Sequence, residues 1–307
     1  MPAPGARLCS DMSSASASGT RPEILRYTAF SADPAGGNPA GVVLDASGLA
    51  DSEQLAIAAE LGYSETAFLT PPPAELADAD GRAYTLRFFS PKDEVNFCGH
   101  ATVATAVALA QHNGGPGDFV FATPAGTVPV TVADVDGELR ATLTSVEPHL
   151  KDVDPADLDE ALGALGWAAT DLDPQLPPRI AFAGNDHLVL AAATRARLAD
   201  LDYDFARLES LMHRLGLTTV QLVWRASAEL YHARDPFPVG GVIEDPATGA
   251  AAAAFGAYAR ELGLTGQDSR FVIRQGEDMG RPGTLTVTLR QGDPRVHVAG
   301  TAVRIEA

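Results

Sequence analysis

Apolar and polar positions alternate, or gather into β-rich runs, at residues 24–30, 83–89, 119–122, 127–132 and 139–144 in the first half of the chain. The same pattern returns at 187–192, 220–224, 271–274 and 284–290 in the second. Such runs predict strands. Helical spacing takes over at 52–61, 155–165 and 204–215. Asp51 or Ser52 is placed to cap the first of these, Asp154 precedes Pro155 at the second, and Gly216 closes the third. Two further segments, 99–111 and 249–258, contain no Asp, Glu, Lys or Arg and are dominated by small residues. A helix without a polar face must be buried on all sides, so these read as core helices.

The residues ahead of those two helices repeat. Arg87-Phe88-Phe89-Ser90-Pro91 leads to Cys98-Gly99-His100-Ala101-Thr102, and Arg234-Asp235-Pro236-Phe237-Pro238 leads to Thr248-Gly249-Ala250-Ala251. Two similar halves, each a strand-rich wrap around one buried helix, would face each other across a cleft. The N–H groups at both helix starts could then converge on one anion, such as a substrate carboxylate. The expected fold is α+β. Residues 1–20 are small, polar and unpatterned and read as a disordered leader; 21–148 and 149–295 are the expected domains. The junction is placed near 146–154, although 171–179, with Pro174, Pro177 and Pro178, is the most linker-like stretch inside the second half.

Composition narrows the function. The chain has 307 residues, 46% of them hydrophobic, enough for one large core or two modest ones. Its 22 basic and 40 acidic residues sum to −18, a surface that repels phosphate backbones and anionic lipid, so neither nucleic acid nor membrane is an expected partner. Its two cysteines, Cys9 in the leader and Cys98, make neither a disulfide framework nor a four-thiolate zinc site, and a reducing, cytoplasmic location is expected. The histidines other than His100 show no metal-ligand spacing, and no glycine-rich phosphate loop follows a strand.

Several blocks carry a more specific signal: Gly37-Asn38-Pro39-Ala40, Ser64-Glu65-Thr66-Ala67-Phe68, Cys98-Gly99-His100-Ala101-Thr102, Glu244-Asp245-Pro246-Ala247-Thr248-Gly249, and Gln275-Gly276 with Gly280-Arg281-Pro282. In this order they resemble the signature blocks of PhzF-like proteins, the phenazine-biosynthesis isomerase family with the diaminopimelate epimerase fold. The resemblance spans about 23–305. It implies two pseudo-symmetric domains, each an antiparallel sheet curled around a central buried helix, with a last strand near 296–305 that returns to the first domain (residues 296–307 joining it). It further implies cofactor-independent work on a small carboxylate metabolite, and a homodimer. It also implies catalytic roles for Glu65, His100 and Asp245, with Asn38, Cys98, Gly99, Thr248, Gly249 and Ala250 against the substrate.

The residues themselves bear on those roles. Glu65 lies between the Leu61-Gly62-Tyr63 turn and apolar Ala67-Phe68-Leu69, where partial burial favours a protonatable carboxyl. His100 at a helix start is disfavoured as imidazolium and suits a neutral donor or acceptor. Asp245 either caps the turn before Pro246 or holds a substrate amine. Related racemases pair two thiols, one per half, but the position matching Cys98 is Thr248. Cys98 therefore reads as a packing residue, or as a lone thiol activated at its helix start. One carboxylate base suits migration of a proton and a double bond within one molecule. The alternatives are a non-catalytic binding or scaffold protein on the same fold, and a one-thiol or Glu/His epimerase. Ala250 departs from the resemblance, which has Ser there. Ala250→Ser is expected to be tolerated and to shift preference across a panel of carboxylate ligands; an unchanged panel would remove Ala250 from the pocket.

Overall fold

The computed structural model describes residues 22–76, 81–112 and 115–306. The expected leader and Cys9 lie outside the described residues, as does Gly114 beyond the first core helix. The first half runs β1 (Leu25–Ala29), β2 (Asn38–Val43), α1 (Asp51–Leu61), β3 (Glu65–Thr70), β4 (Ala83–Phe89), β5 (Glu94–Val95), α2 (Gly99–His112), β6 (Gly117–Thr123), β7 (Gly126–Val135) and β8 (Glu138–Thr144). The second runs β9 (His149–Lys151), α3 (Pro155–Leu165), β10 (Arg179–Phe182), β11 (Asp186–Ala191), α4 (Arg195–Ala199), α5 (Phe205–Leu215) and β12 (Leu217–Arg225). It continues through β13 (Leu230–Pro236), β14 (Glu244–Asp245), α6 (Gly249–Glu261), β15 (Ser269–Gln275), β16 (Gly283–Arg290) and β17 (Asp293–Arg304).

The two halves repeat one pairing scheme. β2 and β3 are parallel, as are β11 and β12; β3–β4 and β12–β13 are antiparallel; β4 then pairs parallel with β6, as β13 does with β15. The second half also sends its last strand to the first: β17 pairs with β16 of its own half, with β8 and at its far end with β1, while β9 pairs with β10 inside the second half. This crossing ties the halves by backbone hydrogen bonds, and we propose the domain division at 148/149, ahead of β9.

The uncharged segments are helices, and both are enclosed. Every α2 residue from Gly99 to Ala110 is buried, as is every α6 residue from Gly249 to Ala259. Small side chains let the curled strands close around each helix, and a polar residue on any face would be left without water. α2 starts at Gly99, where the uncharged segment begins, and Glu94–Val95 ahead of it forms a short strand. α3 and α5 are capped by the Asp154 and Asp204 side chains, which accept from Ala156 and Arg207 N–H. The cap expected at Asp51 or Ser52 is instead Ala50, whose N–H is held by the Glu53 carboxylate one turn on.

The Arg-to-Pro repeat becomes a repeated ion pair. Arg87 binds Glu94 through two hydrogen bonds of 2.7 Å, and Arg234 binds Glu244 through two of 3.0 and 2.5 Å. Burial differs, and so does the third partner: the Arg87 and Glu94 side chains are 25% and 35% exposed and Arg87 also binds Asp51 at 2.6 Å, whereas Arg234 and Glu244 are 11% and 4% exposed and Arg234 also donates to the Ala199 carbonyl. Glu244→Gln is therefore expected to cost about 3–5 kcal/mol by leaving a buried guanidinium unmatched, and Glu94→Gln less than about 1 kcal/mol. Urea unfolding of both variants checks this; equal costs would refute it.

Candidate active site

The helix starts come together. A Cβ added at Gly99 would lie 3.2 Å from the Gly249 Cα and the Ala250 nitrogen, and one at Gly249 would meet the Phe30 ring at 3.1 Å. Only glycine permits this approach. The first turn of each helix leaves N–H groups without intrahelical acceptors, since the ladders begin with Thr102 N–H to Cys98 O and Ala252 N–H to Thr248 O.

Beside this junction lie Glu65, Cys98, His100, Asn38 and Asp245, all buried. Glu65, expected in a turn, is the first residue of β3 and pairs with Ala40 of β2. That ladder fixes its carboxyl against the α2 start. The Asn38 amide Nδ2 lies 2.7 Å from Asp245 Oδ1, 3.0 Å from Ala247 O and 3.0 Å from His100 Nδ1. An amide nitrogen only donates, so Nδ1 presents its lone pair and the imidazole hydrogen sits on Nε2. Nε2 is 3.4 Å from Glu65 Oε2 and 3.4 Å from Ser64 Oγ. The Cys98 thiol donates to the same Glu65 oxygen at 3.5 Å. Glu65 is thus an acceptor held by two weak donors and open to a third partner.

Glu65, Cys98 and His100 offer three ligand atoms within 4.8 Å of one another, a spacing that a metal ion could also use. The surroundings fit a proton better. A metal needs the Nε2 lone pair, which Asn38 assigns to Nδ1, and a thiolate. Burial, then the charge of Glu65, pushes the Cys98 thiol well above its ordinary range. The same shift removes Cys98 as a ready base. Asp245 is raised from 3.8 to about 6: burial dominates, His100 pulls it back, and the Glu65 charge adds to the rise. Its oxygens are held by Asn38 and by the Thr248 hydroxyl at 2.6 Å. Thr248, expected against the substrate, has its hydroxyl committed to this clamp, which Gln275 completes from Nε2 at 3.0 Å.

A cleft of roughly 420 Å³ opens on Glu65 and Ser64. It is also lined by Asn185, Thr218, Phe97 and Phe237, of which only Phe237 stood out in the sequence, as part of the Arg-to-Pro repeat. A signal for Asn185 was present, because Gly184-Asn185 repeats Gly37-Asn38. The ladders make the correspondence explicit. Phe68 pairs with Arg87 as Leu222 pairs with Arg234, so Glu65 corresponds to Thr219. Counting from Glu94 and Glu244, the partners of those arginines, Cys98 corresponds to Thr248 and His100 to Ala250; Ala40 pairs with Glu65 as His187 pairs with Thr219, so Asn38 corresponds to Asn185. The pseudo-symmetric half-site therefore keeps its amide and hydroxyls but has no acid or base. Ala250 itself is buried, bordering a small apolar chamber with Phe97, Leu143 and Ala253.

The fold is of the α+β, diaminopimelate epimerase-like class: a hydroxyproline epimerase from Agrobacterium vitis shares it at TM-score 0.61 and 13% identity, over 92% of this chain and 90% of that one. A family model described as phenazine biosynthesis-like protein matches residues 27–307. The structure of a predicted epimerase from Pseudomonas aeruginosa superposes with TM-score 0.81 at 26% identity, covering 93% of this chain and 98% of that one. An uncharacterized isomerase of Bacillus subtilis is 31% identical over 292 residues, 92% of this chain and 97% of its own length. The trans-2,3-dihydro-3-hydroxyanthranilate isomerase of Pseudomonas chlororaphis is 29% identical over 280 residues, 90% of this chain and 94% of its own. The chain belongs to the phenazine biosynthesis-like family and is an isomerase of that family. Among the described residues no helix is long and apolar enough to cross a membrane.

Asp245 also makes a stability prediction. Its folded value lies above 3.8, so between about 4 and 6 the native state binds the extra proton and stability falls as pH rises through that window. A shift of that size corresponds to about 3 kcal/mol at most. Asp245→Asn is expected to be more stable than the parent at pH 7, with the difference shrinking below about pH 4. Unfolding midpoints across pH check this; a variant less stable at pH 7 would contradict it.

Proposed function

We propose that the protein is a cofactor-independent isomerase that moves a proton within a small, carboxylate-bearing metabolite with an amino or hydroxyl substituent, using Glu65 as both acid and base. One observation carries the reading: a buried carboxylate with neutral donors faces the cleft in one half, while the matching position of the other half is Thr219. The Glu65 carboxylate takes a proton from carbon, and the C–H electron pair moves into the conjugated system of the substrate. The N–H groups at the Gly99 and Gly249 helix starts stabilise the charge that develops on the substrate carboxylate. The protonated Glu65 then returns its proton to another carbon of the same molecule, restoring the carboxylate. His100 Nε2–H steadies the Glu65 charge in the resting state, and Asp245 accepts from a substrate amine or hydroxyl.

An epimerase needs a second base on the opposite face. Thr219 and Thr248 do not supply one at neutral pH, so removal and return occur on a single face. The name of the Pseudomonas chlororaphis relative gives that enzyme a cyclic substrate with a carboxylate, an amino group and a hydroxyl, which supports the same class here.

Glu65→Gln preserves size and most hydrogen bonding but cannot take the proton. It is expected to fold and bind ligand while losing about 10²–10⁴-fold in rate, or roughly 3–5 kcal/mol of barrier. The measurement is deuterium uptake from heavy water into small cyclic carboxylates, trans-2,3-dihydro-3-hydroxyanthranilate among them. Near-parental exchange by a folded, ligand-binding variant would exclude Glu65 as the base.

A further inference from the structure

One residue of the first half holds a backbone conformation that its side chain disfavours. Phe30, which follows β1, has φ of 64° and is wholly buried. Left-handed backbone is uncommon outside glycine and costs most for a bulky residue. Two hydrogen bonds hold it there: its N–H donates to Thr301 O at 2.7 Å, and its carbonyl accepts from Thr284 N–H at 2.8 Å. The ring lies over Gly300 of β17, where a Cβ would run into it, and reaches Gly249 at the start of α6. A strained backbone thus keeps one seat beside the helix junction filled.

The second half has the same seat without a ring. Ala29 pairs with Asn38, and Ala183 N–H donates to Asn185 O at 3.3 Å; since Asn38 matches Asn185, Phe30 matches Gly184. The surrounding hairpins match as well. Gly126 opposite Thr123 corresponds to Gly283 opposite Gln275, so Val130 corresponds to Val287 and their partners Leu143 and Val298 to each other. Two residues on, Ser145 corresponds to Gly300. Gly184 turns at φ of 118°, and a Cβ on it would meet nothing within 4 Å. The room that remains is the chamber bordered by Ala250, about 20 Å³, with Gly184 and Ser145 in its wall.

That wall suits an apolar guest. Phe97, Val128, Leu143, Ala183, Ala250 and Ala253 bring only hydrocarbon to it. The Ser145 hydroxyl donates to Val146 O at 2.7 Å and accepts from Val296 N–H at 3.0 Å. The Thr144 hydroxyl is paired with His297 Nδ1 at 3.0 Å. A chamber of this kind gains by enclosing a small alkyl group and loses by enclosing a charge or an unpaired polar group. It also adjoins the site on two sides. The Ala250 nitrogen lies at the contact of the two helix starts, and Phe97 lines both the chamber and the cleft on Glu65.

We propose that this chamber is a specificity pocket of the isomerase: it takes a compact alkyl group, about the size of a methyl, carried by the substrate whose carboxylate sits at the helix starts. The alkyl group then occupies in the second half the seat that Phe30 fills in the first. The assignment to substrate rests on the reading of the site given above; the preference is one of binding and needs no turnover.

Aminobenzoates, each with and without one ring methyl, test it by calorimetry on the full-length protein. At least one methylated member is expected to bind about four- to tenfold more tightly than its plain partner, as burial of one methyl group predicts. Ala253→Val, which fills the chamber, is expected to bring that ratio to about one. Val128→Ala, which enlarges it, is expected to move the preference from methyl to ethyl. A parent without preference across the panel would overturn the proposal, and so would a ratio that Ala253→Val leaves in place, since a mere packing void does not distinguish ligands. Should Ala253→Val not fold, Val128→Ala decides, and a preference it leaves unmoved overturns the pocket. A methyl preference that both variants change, without deuterium uptake by the parent, would support the pocket and count against the proposed reaction.

Discussion

Everything at the site depends on the contact between two helix starts. Gly99 and Gly249 approach so closely that a methyl on either would press on backbone or on Phe30. That contact places two sets of unbonded N–H groups at one point and brings residues of distant sequence onto one short polar chain. Asn38 and Asp245, 207 positions apart, are joined by a 2.7 Å hydrogen bond. Without the glycines the helices would separate, and Asn38 would lose the partners that fix the His100 tautomer. The crossing of β17 holds the contact in place, since the last strand of the second half is stitched to β8 and β1 of the first.

Burial gives this arrangement its chemistry and its cost. Glu65, Asp235 and Asp245 are enclosed by strands and by alanine-rich helices that have no charge to offer. Burial raises the proton affinity of the two aspartates, and neutral donors share the load. A site built this way accepts lower stability in return for a base whose proton is poised to move. The Arg234–Glu244 pair shows the same interior handled differently, with a bidentate match that leaves neither charge uncompensated.

The two halves differ in chemistry more than in shape. Their ladders match residue for residue around the cleft, yet Glu65, Cys98 and His100 face Thr219, Thr248 and Ala250 across the pseudo-symmetry. The hydroxyl half has become a support: Thr219 and Thr248 orient aspartates where the other half presents acid and base. A one-sided site follows from this division, and with it a reaction confined to one face of the substrate.

Local features of this protein were legible in its sequence because local physics sets them. The absence of charge in 99–111 and 249–258 required burial, and aspartates ahead of α3 and α5 announced their starts. The motif blocks located Glu65, His100 and Asp245. Seven strands escaped pattern reading: β5, β9, β10 and β14 are too short to show a period, β2 and β3 are buried almost throughout and show no alternation, and β2 and β13 contain proline. The α1 start was misplaced because Ala50 cannot advertise a cap. Asp235 looks like any charged surface residue in the sequence; only the pairing of β13 with β14 buries it against a second carboxyl. Periodicity and backbone preference act over a few residues and can be read from the chain. Which nitrogen of His100 holds its hydrogen depends on neighbours brought from far away, and the tertiary structure alone decides it.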